Sequence, residues 1–191
     1  YYLKRRKPKE MLDRLNAVAS RIKDPKLAAD LLERIAMLTA VHLQDRKSSI
    51  EAYQRILKIE SGHPSAIAAL VEYYQEEGRW AEVVELLKAQ AERQNDPRSK
   101  AEVILQIARI TSDNLKDPES AQFLYDDILR NDPHNLAAAQ ALAKTYEKAK
   151  NYSGLIQCLD IMVDASRDLD GRLELLERIA EIHDSKRSDP V

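Results

Sequence analysis

The chain has 191 residues, is 44% hydrophobic and 32% charged, and sets 30 Lys+Arg against 32 Asp+Glu for a net charge of −2. It is too apolar for intrinsic disorder and too charged for a membrane helix, since no stretch approaches the ~18 uninterrupted apolar residues such a helix needs. The balanced charge argues against wholesale electrostatic binding to nucleic acid, one Cys cannot form an internal disulfide, and four Gly with one Trp and one Phe fit poorly with a β-sandwich or a loop-built enzyme.

Apolar residues recur at i, i+3, i+4 and i+7, as in Ile104, Ile107, Ala108 and Thr111, the mark of helices that bury one stripe. In chain order the spacing predicts helices over 8–22, 27–44, 48–60, 64–77 and 80–94, then 99–115, 118–131, 134–149 and 152–168, and a last one over 172–186. Asp117 before Pro118 reads as a capping carboxylate and a first-turn proline. Ser48-Ser49-Ile50-Glu51 reads as a capping box, and Gly78 after Glu77 as a left-handed helix stop. His63-Pro64 and Asp132-Pro133 break the chain between helices.

The helices repeat. A shift of 72 residues carries Ile35-Ala36 onto Ile107-Ala108 and again onto Ile179-Ala180, Tyr53 onto Tyr125, Tyr74 onto Tyr146, and Trp80 onto Tyr152. A double shift lays Leu31–Ala36 on the identical hexapeptide Leu175–Ala180. The ends keep the register too: Tyr1-Tyr2 falls on Tyr73-Tyr74, and Asp117-Pro118 on Asp189-Pro190. Each period holds four helices, so the unit is a helix pair of alternating length. The pairs fall at about 1–22 (partial), 27–60, 64–95, 99–131, 134–168 and 172–191 (partial). The start at Tyr1 without a Met and the mid-repeat ends read as a fragment of a longer protein that continues in both directions.

These residues resemble the tetratricopeptide repeat, a helix-turn-helix unit of about 34 residues. The clearest copy is Leu70, Tyr74, Gly78, Trp80, Leu87; the next, Leu142, Tyr146, Lys150, Tyr152, Leu159, keeps all but the Gly. The longer pairs carry Ile35-Ala36-Thr39 and Ile107-Ala108-Thr111, then about four extra residues, and Pro64 and Pro133 supply the closing proline. The resemblance implies one all-α, right-handed solenoid of stacked antiparallel pairs spanning 1–191. In it the recurring Ala36, Ala69, Ala108, Ala141 and Ala180 sit where first helices approach their neighbours, and Trp80 and Tyr152 wedge between pairs.

No motif points to catalysis, a cofactor or a metal: the chain has no phosphate-cradling Gly-rich loop, no paired metal-binding His and no Cys pair. His42, His63, His134 and His183 are scattered and read as solvated or capping residues, and Cys158 as a packed thiol among Leu155, Ile156 and Leu159. Asp113 and Asp126-Asp127 lack calcium-loop spacing. The basic run Lys4-Arg5-Arg6-Lys7 with Lys9 reads as a solvated end, with an anionic ligand as its functional alternative.

The resemblance further implies that first helices line a concave groove, here Arg34, Met37, Val41, Glu72, Gln75, Glu76, Leu105, Arg109, Lys144, Lys148, Arg178 and Glu181. Met37, Val41 and Leu105 break the period towards greasiness: Met37 stands where Arg109 and Glu181 stand, Val41 where Asp113 and Ser185 stand, and Leu105 where Glu33 and Glu177 stand. Phe123 replaces Glu51 at a position that the family exposes on its convex side. Either these apolar groups form a contact site, or the longer helices cover them locally. Arg109, Lys144 and Lys148 make a basic middle flanked by Glu72/Glu76 and Glu177/Glu181/Asp184, which suits an acidic ligand with apolar anchors. The Lys and Asn set of the family's carboxylate clamp is absent, so that assignment is excluded.

The expectation is a non-enzymatic scaffold that binds a peptide or helix of a protein partner in the groove, without cofactor, nucleic acid or membrane insertion. The alternatives are an assembly subunit using its convex face and open ends, an RNA-processing repeat protein, and the helical half of an enzyme. A looser likeness to bacterial repeat arrays makes the expected compartment cytoplasmic, with a periplasmic adaptor as the alternative.

Overall fold

A computed structural model describes residues 8–188, with side chains over 9–184. Tyr1-Tyr2, the run Lys4–Lys7, Ser185 as a side chain, and Asp189-Pro190 lie outside the described residues. Among these residues there are ten α-helices and no strand: α1 Pro8–Ala19, α2 Pro25–Leu38, α3 Arg46–Ile59, α4 Pro64–Glu76, α5 Trp80–Arg93, α6 Pro97–Asp113, α7 Pro118–Asn131, α8 Leu136–Lys148, α9 Tyr152–Ala165 and α10 Leu169–Ser188. The chain divides into two compact units, Tyr1–Asn95 and Asp96–Val191. In the first, α1 packs on α2, α2 on α3, α3 on α4 and α4 on α5; in the second the same chain of contacts runs from α6 to α10. Short connections make successive helices antiparallel. Each unit is therefore a stack of helix pairs, the α-solenoid architecture that the period implies.

Caps follow the 72-residue register. Asp24, Asp45, Asp96 and Asp117 cap α2, α3, α6 and α7, each accepting a backbone N–H from the first turn. The Asp-Pro joins start α2 and α6 at Pro25 and Pro97, two residues earlier than the apolar periodicity indicates. Asn135 and Asn151 cap α8 and α9, while the equivalent His63 and Arg79 give α4 and α5 no side-chain cap. Ser48 is not the cap expected of it. It sits at the third helical position and donates its N–H and hydroxyl to Asp45 at 3.1 and 2.6 Å, because the carboxylate is the stronger acceptor for orphan donors. Pro64 opens α4 rather than closing α3.

The extra residues of the first long pair become a π-helical turn, Thr39–Leu43, that continues α2. Side-chain hydroxyls add to the backbone bonds at this turn, where the Thr39 N–H donates to the Ile35 and Ala36 carbonyls. The buried Thr39 hydroxyl donates to the Ile35 and Ala36 carbonyls at 2.9 and 2.8 Å, and the buried Ser49 of α3 donates to the Ala36 carbonyl at 3.0 Å. The chain then leaves in the left-handed region at Gln44 (φ 52°), and one period on at Lys116 (φ 59°). The short pairs turn the same way at Gly78 (φ 68°) and Lys150 (φ 54°). Lys150 thus adopts the conformation that glycine adopts without a Cβ clash.

Buried in the first unit are Leu32, Ile35 and Ala36 of α2, Ala52, Tyr53 and Ile56 of α3, Ile67, Leu70 and Tyr74 of α4, and Val83 and Leu87 of α5. The second unit gathers Ala108, Ala121, Tyr125, Ile128, Leu142, Leu155, Cys158 and Leu159 into one cluster, with Tyr152 packed against it. Trp80 and Tyr152 are half-buried. Tyr74 and Tyr146 hold matched positions with different partners. Gln54 donates to the Tyr74 hydroxyl at 2.7 Å and Arg79 stacks 4.0 Å over its ring; Tyr146 donates to Asp126 at 2.7 Å, and its ring covers Gly154, where a Cβ would lie 2.7 Å away. Of the recurring alanines, Ala36 and Ala108 are fully buried and Ala69 and Ala141 half-buried. Ala180 is exposed, contrary to expectation, because among the described residues no helix covers that side of α10.

Two outcomes follow from the turns and caps. Lys150→Gly should raise stability by about 0.5–1 kcal/mol in a chemical melt and Gly78→Ala should lower it by about 1–2, the cost of a Cβ in the left-handed region net of glycine's greater freedom when unfolded. Hydrogen bonds from Ser48, Ser99 and Ser120 hold the Asp45, Asp96 and Asp117 carboxyls below their ordinary range. Their contribution is present above the unfolded carboxyl pKa of about 3.9 and is lost as pH falls through the lower folded values. The melting temperature of the wild type should therefore exceed that of Asp45→Asn/Asp96→Asn/Asp117→Asn near pH 7, with the gap closing below about pH 3.

Candidate functional site

The residues expected to bind a partner divide between the two units. In the first unit, α2 and its π-helical extension carry Arg34, Met37 and Val41. Met37 is 56% and Val41 68% exposed, so the longer helix does not cover them. Leu27, 58% exposed, stands seven residues before Arg34 on the same helical side and extends the apolar row. The sequence signal for Leu27 is its seven-residue offset from Arg34, which is two turns of helix. On α4, Glu72 is exposed and Gln75 half-buried. Glu76 is exposed and paired with Arg46 at the start of α3 at 2.6 Å; Arg46 also donates to the Tyr73 carbonyl at 3.2 Å and lies 4.7 Å over the Tyr73 ring. At the other end of α4, Ser65 donates to Glu33 of α2 at 2.5 Å. Arg46 thus joins α3 to α4, and Ser65 makes a polar contact from α4 to α2.

In the second unit Arg109 of α6 and Lys144 and Lys148 of α8 are exposed, as is Glu181 of α10. Arg178 is half-buried and committed: it bonds Glu147 of α8 at 2.5 Å, which joins two first helices beside Lys148. Such a surface pair contributes ~0–1 kcal/mol, enough to orient side chains but not to hold the helices together. Leu105 departs from its expected role as an exposed contact. It is half-buried and packs against the core cluster, so its apolar character serves the fold. Phe123 projects from α7 with 63% of its surface exposed, between Glu119 and Asp127 one turn to either side.

The histidines are chemically scattered. His42 lies in the π-helical turn, His134 in a turn and His183 on α10, all exposed, while His63 stands 3.2 Å from the Ser65 hydroxyl. Burial pushes the Cys158 thiol up to about 11, and burial, then the bond to Asp126, pushes Tyr146 up to about 12. Both shifts make these groups poorer nucleophiles or acids near neutral pH, in keeping with packing positions. No helix of the described residues is long and apolar enough to cross a membrane.

No family model matches the chain, and no curated protein matches it. It is similar to a solved structure of Pseudomonas aeruginosa pilF at 19% identity, covering 98% of this chain and 83% of that one with a TM-score of 0.52. It is also similar to the P58(IPK) TPR domain at 17% identity, covering 100% of this chain and 55% of that one with a TM-score of 0.46. The pilF likeness shows the fold. With the 72-residue register and the capped helix pairs, that fold is a tetratricopeptide-like helical repeat.

If Met37 and Val41 are surface groups and Leu105 a core one, substitutions should separate them. Met37→Ser/Val41→Ser should change unfolding free energy by less than about 0.5 kcal/mol, whereas Leu105→Ala should cost about 1–2. Equal losses in urea melts would move all three into the core.

Proposed function

We propose that the chain is a non-enzymatic protein–protein interaction scaffold that takes a peptide or helix of a partner along the faces of its first helices. The observation that carries this reading is the exposed row Leu27, Met37 and Val41 on α2, apolar groups left in solvent beside an otherwise ionic surface while the repeat's core positions are buried. In the second unit, exposed Arg109, Lys144 and Lys148 of the first helices α6 and α8 suit acidic residues of a partner. The register that runs unbroken through Asn95–Asp96 supports treating residues 1–191 as one array, and the proposed setting is cytoplasmic. A second reading, a subunit of a larger assembly that contacts its neighbours through second helices, is favoured by the exposed Phe123.

Affinity capture from the source lysate with mass spectrometry separates them, once circular dichroism shows equal helicity. Arg109→Glu/Lys144→Glu and Met37→Ser/Val41→Ser should each lose a partner that the wild type holds, and Phe123→Ser should keep it. The reverse pattern would replace the first reading with the second. A captured nucleic acid whose affinity falls steeply with salt would overturn both.

A further inference from the structure

The 72-residue register inverts the charge of one helix surface. Lys47, Gln54 and Arg55 of α3 become Glu119, Asp126 and Asp127 of α7, and among them the exposed Glu51 becomes Phe123. On the following second helix, Lys88 and Arg93 of α5 become Asp160 and Ala165 of α9. Arg130 is then the single cation of α7 and α9, against Glu119, Asp126, Asp127, Asp160 and Asp164. The surface lies within the stack: α7 packs on α6 and α8, and α9 on α8 and α10.

Beside Phe123 this surface is cut by a crevice. Asp126 and Leu129 of α7, Tyr146 of α8 and Ile161 of α9 line it, with Pro133 at the turn after α7 and the exposed Arg130 at the rim. Asp126 stands one helical turn after Phe123. Tyr146 donates to one oxygen of that carboxylate at 2.7 Å, and among the described residues no cation of the chain pairs with it.

The first unit shows what can enter the matching place. There the Arg93 side chain fills the space that a Cβ at Gly62 would need, and its guanidinium donates to Ser61 at 2.6 Å. One period on, Arg93 and Ser61 correspond to Ala165 and Pro133, so the arginine is missing where Pro133 lines an open crevice.

We propose that this surface docks a basic segment of a partner protein, with an arginine in the crevice against Asp126 and a neighbouring apolar residue on Phe123. An arginine suits both parts of the crevice. Its methylene stem packs along Leu129 and Ile161, and its planar guanidinium takes the carboxylate that Tyr146 holds in place. Glu119 and Asp127 attract the rest of the segment and disfavour an acidic competitor. The proposal rests on the second-helix reading that Phe123 favours, and is independent of the first-helix surface.

The test titrates the 191-residue chain into a fluorescent nonapeptide of alternating arginine and leucine at about 0.15 M salt, read by anisotropy, with equal helicity of all variants shown by circular dichroism. The peptide should bind saturably. Asp126→Asn, which keeps an acceptor for Tyr146, and Phe123→Ser should each weaken it at least fivefold. Ala165→Arg, which restores an arginine where the first unit has one, should weaken it likewise, and Arg109→Glu/Lys144→Glu should not. No binding by the wild type, or equal binding by Asp126→Asn, would overturn the proposal. In the latter case a loss confined to Phe123→Ser leaves the second-helix reading standing, and no loss in any variant removes that reading too. Self-association in sedimentation that Phe123→Ser abolishes and the peptide does not compete with would also overturn the proposal, since the occupant would then be a second copy.

Discussion

A helix in the interior of either unit must bury two apolar sides, one against the helix before it and one against the helix after. No single pair satisfies that demand, because two helices facing each other still leave an outward stripe on each. Stacking is the solution, and most other features follow from it. The tight left-handed exits at Gln44, Gly78, Lys116 and Lys150 return the chain within reach of the helix just formed. Small residues, Ala36 and Ala108 above all, let backbones approach closely enough for a Ser49 hydroxyl to reach a main-chain carbonyl.

Matched positions show how much the constraint tolerates. At the Tyr74/Tyr146 position the ring is kept in both periods, but its hydroxyl accepts from Gln54 in one and donates to Asp126 in the other. On the far side of the ring an arginine stacks in one period, and a glycine makes room in the other. Volume and one hydrogen bond are conserved between the copies, while the chemistry that supplies them is exchanged. That is the behaviour expected where packing sets the outcome and polar satisfaction only has to be met.

Much of this was legible in the sequence, because a 72-residue identity pattern is a statement about contacts as well as residues. Periodicity alone points Ile35, Ile107, Tyr53, Tyr74 and Tyr125 to the buried side, where they lie. Helix starts are less legible, since apolar spacing begins a turn after the cap, and the Asp24-Pro25 and Asp96-Pro97 joins outweigh it. The π-helical turn is legible only as extra residues, because a widened turn and an ordinary loop need the same few residues and carry no distinct apolar spacing. For the candidate site, exposure was the missing quantity. Met37 and Leu105 both break the period towards apolar side chains, but they hold different register positions: Met37 shares that of exposed Arg109 and Leu105 that of half-buried Glu33, so one faces solvent and the other packs on the core.

The sulfur of Cys158 has a consequence of another kind. It is the chain's single thiol, 1% exposed, and held far from its thiolate form by burial between α8 and α9. An alkylating reagent should react with it faster when the second unit opens, since opening supplies both access and a more readily formed thiolate. The first unit has no such group, so the chain carries a clock for excursions of one half alone, silent about the other and present without any engineered label.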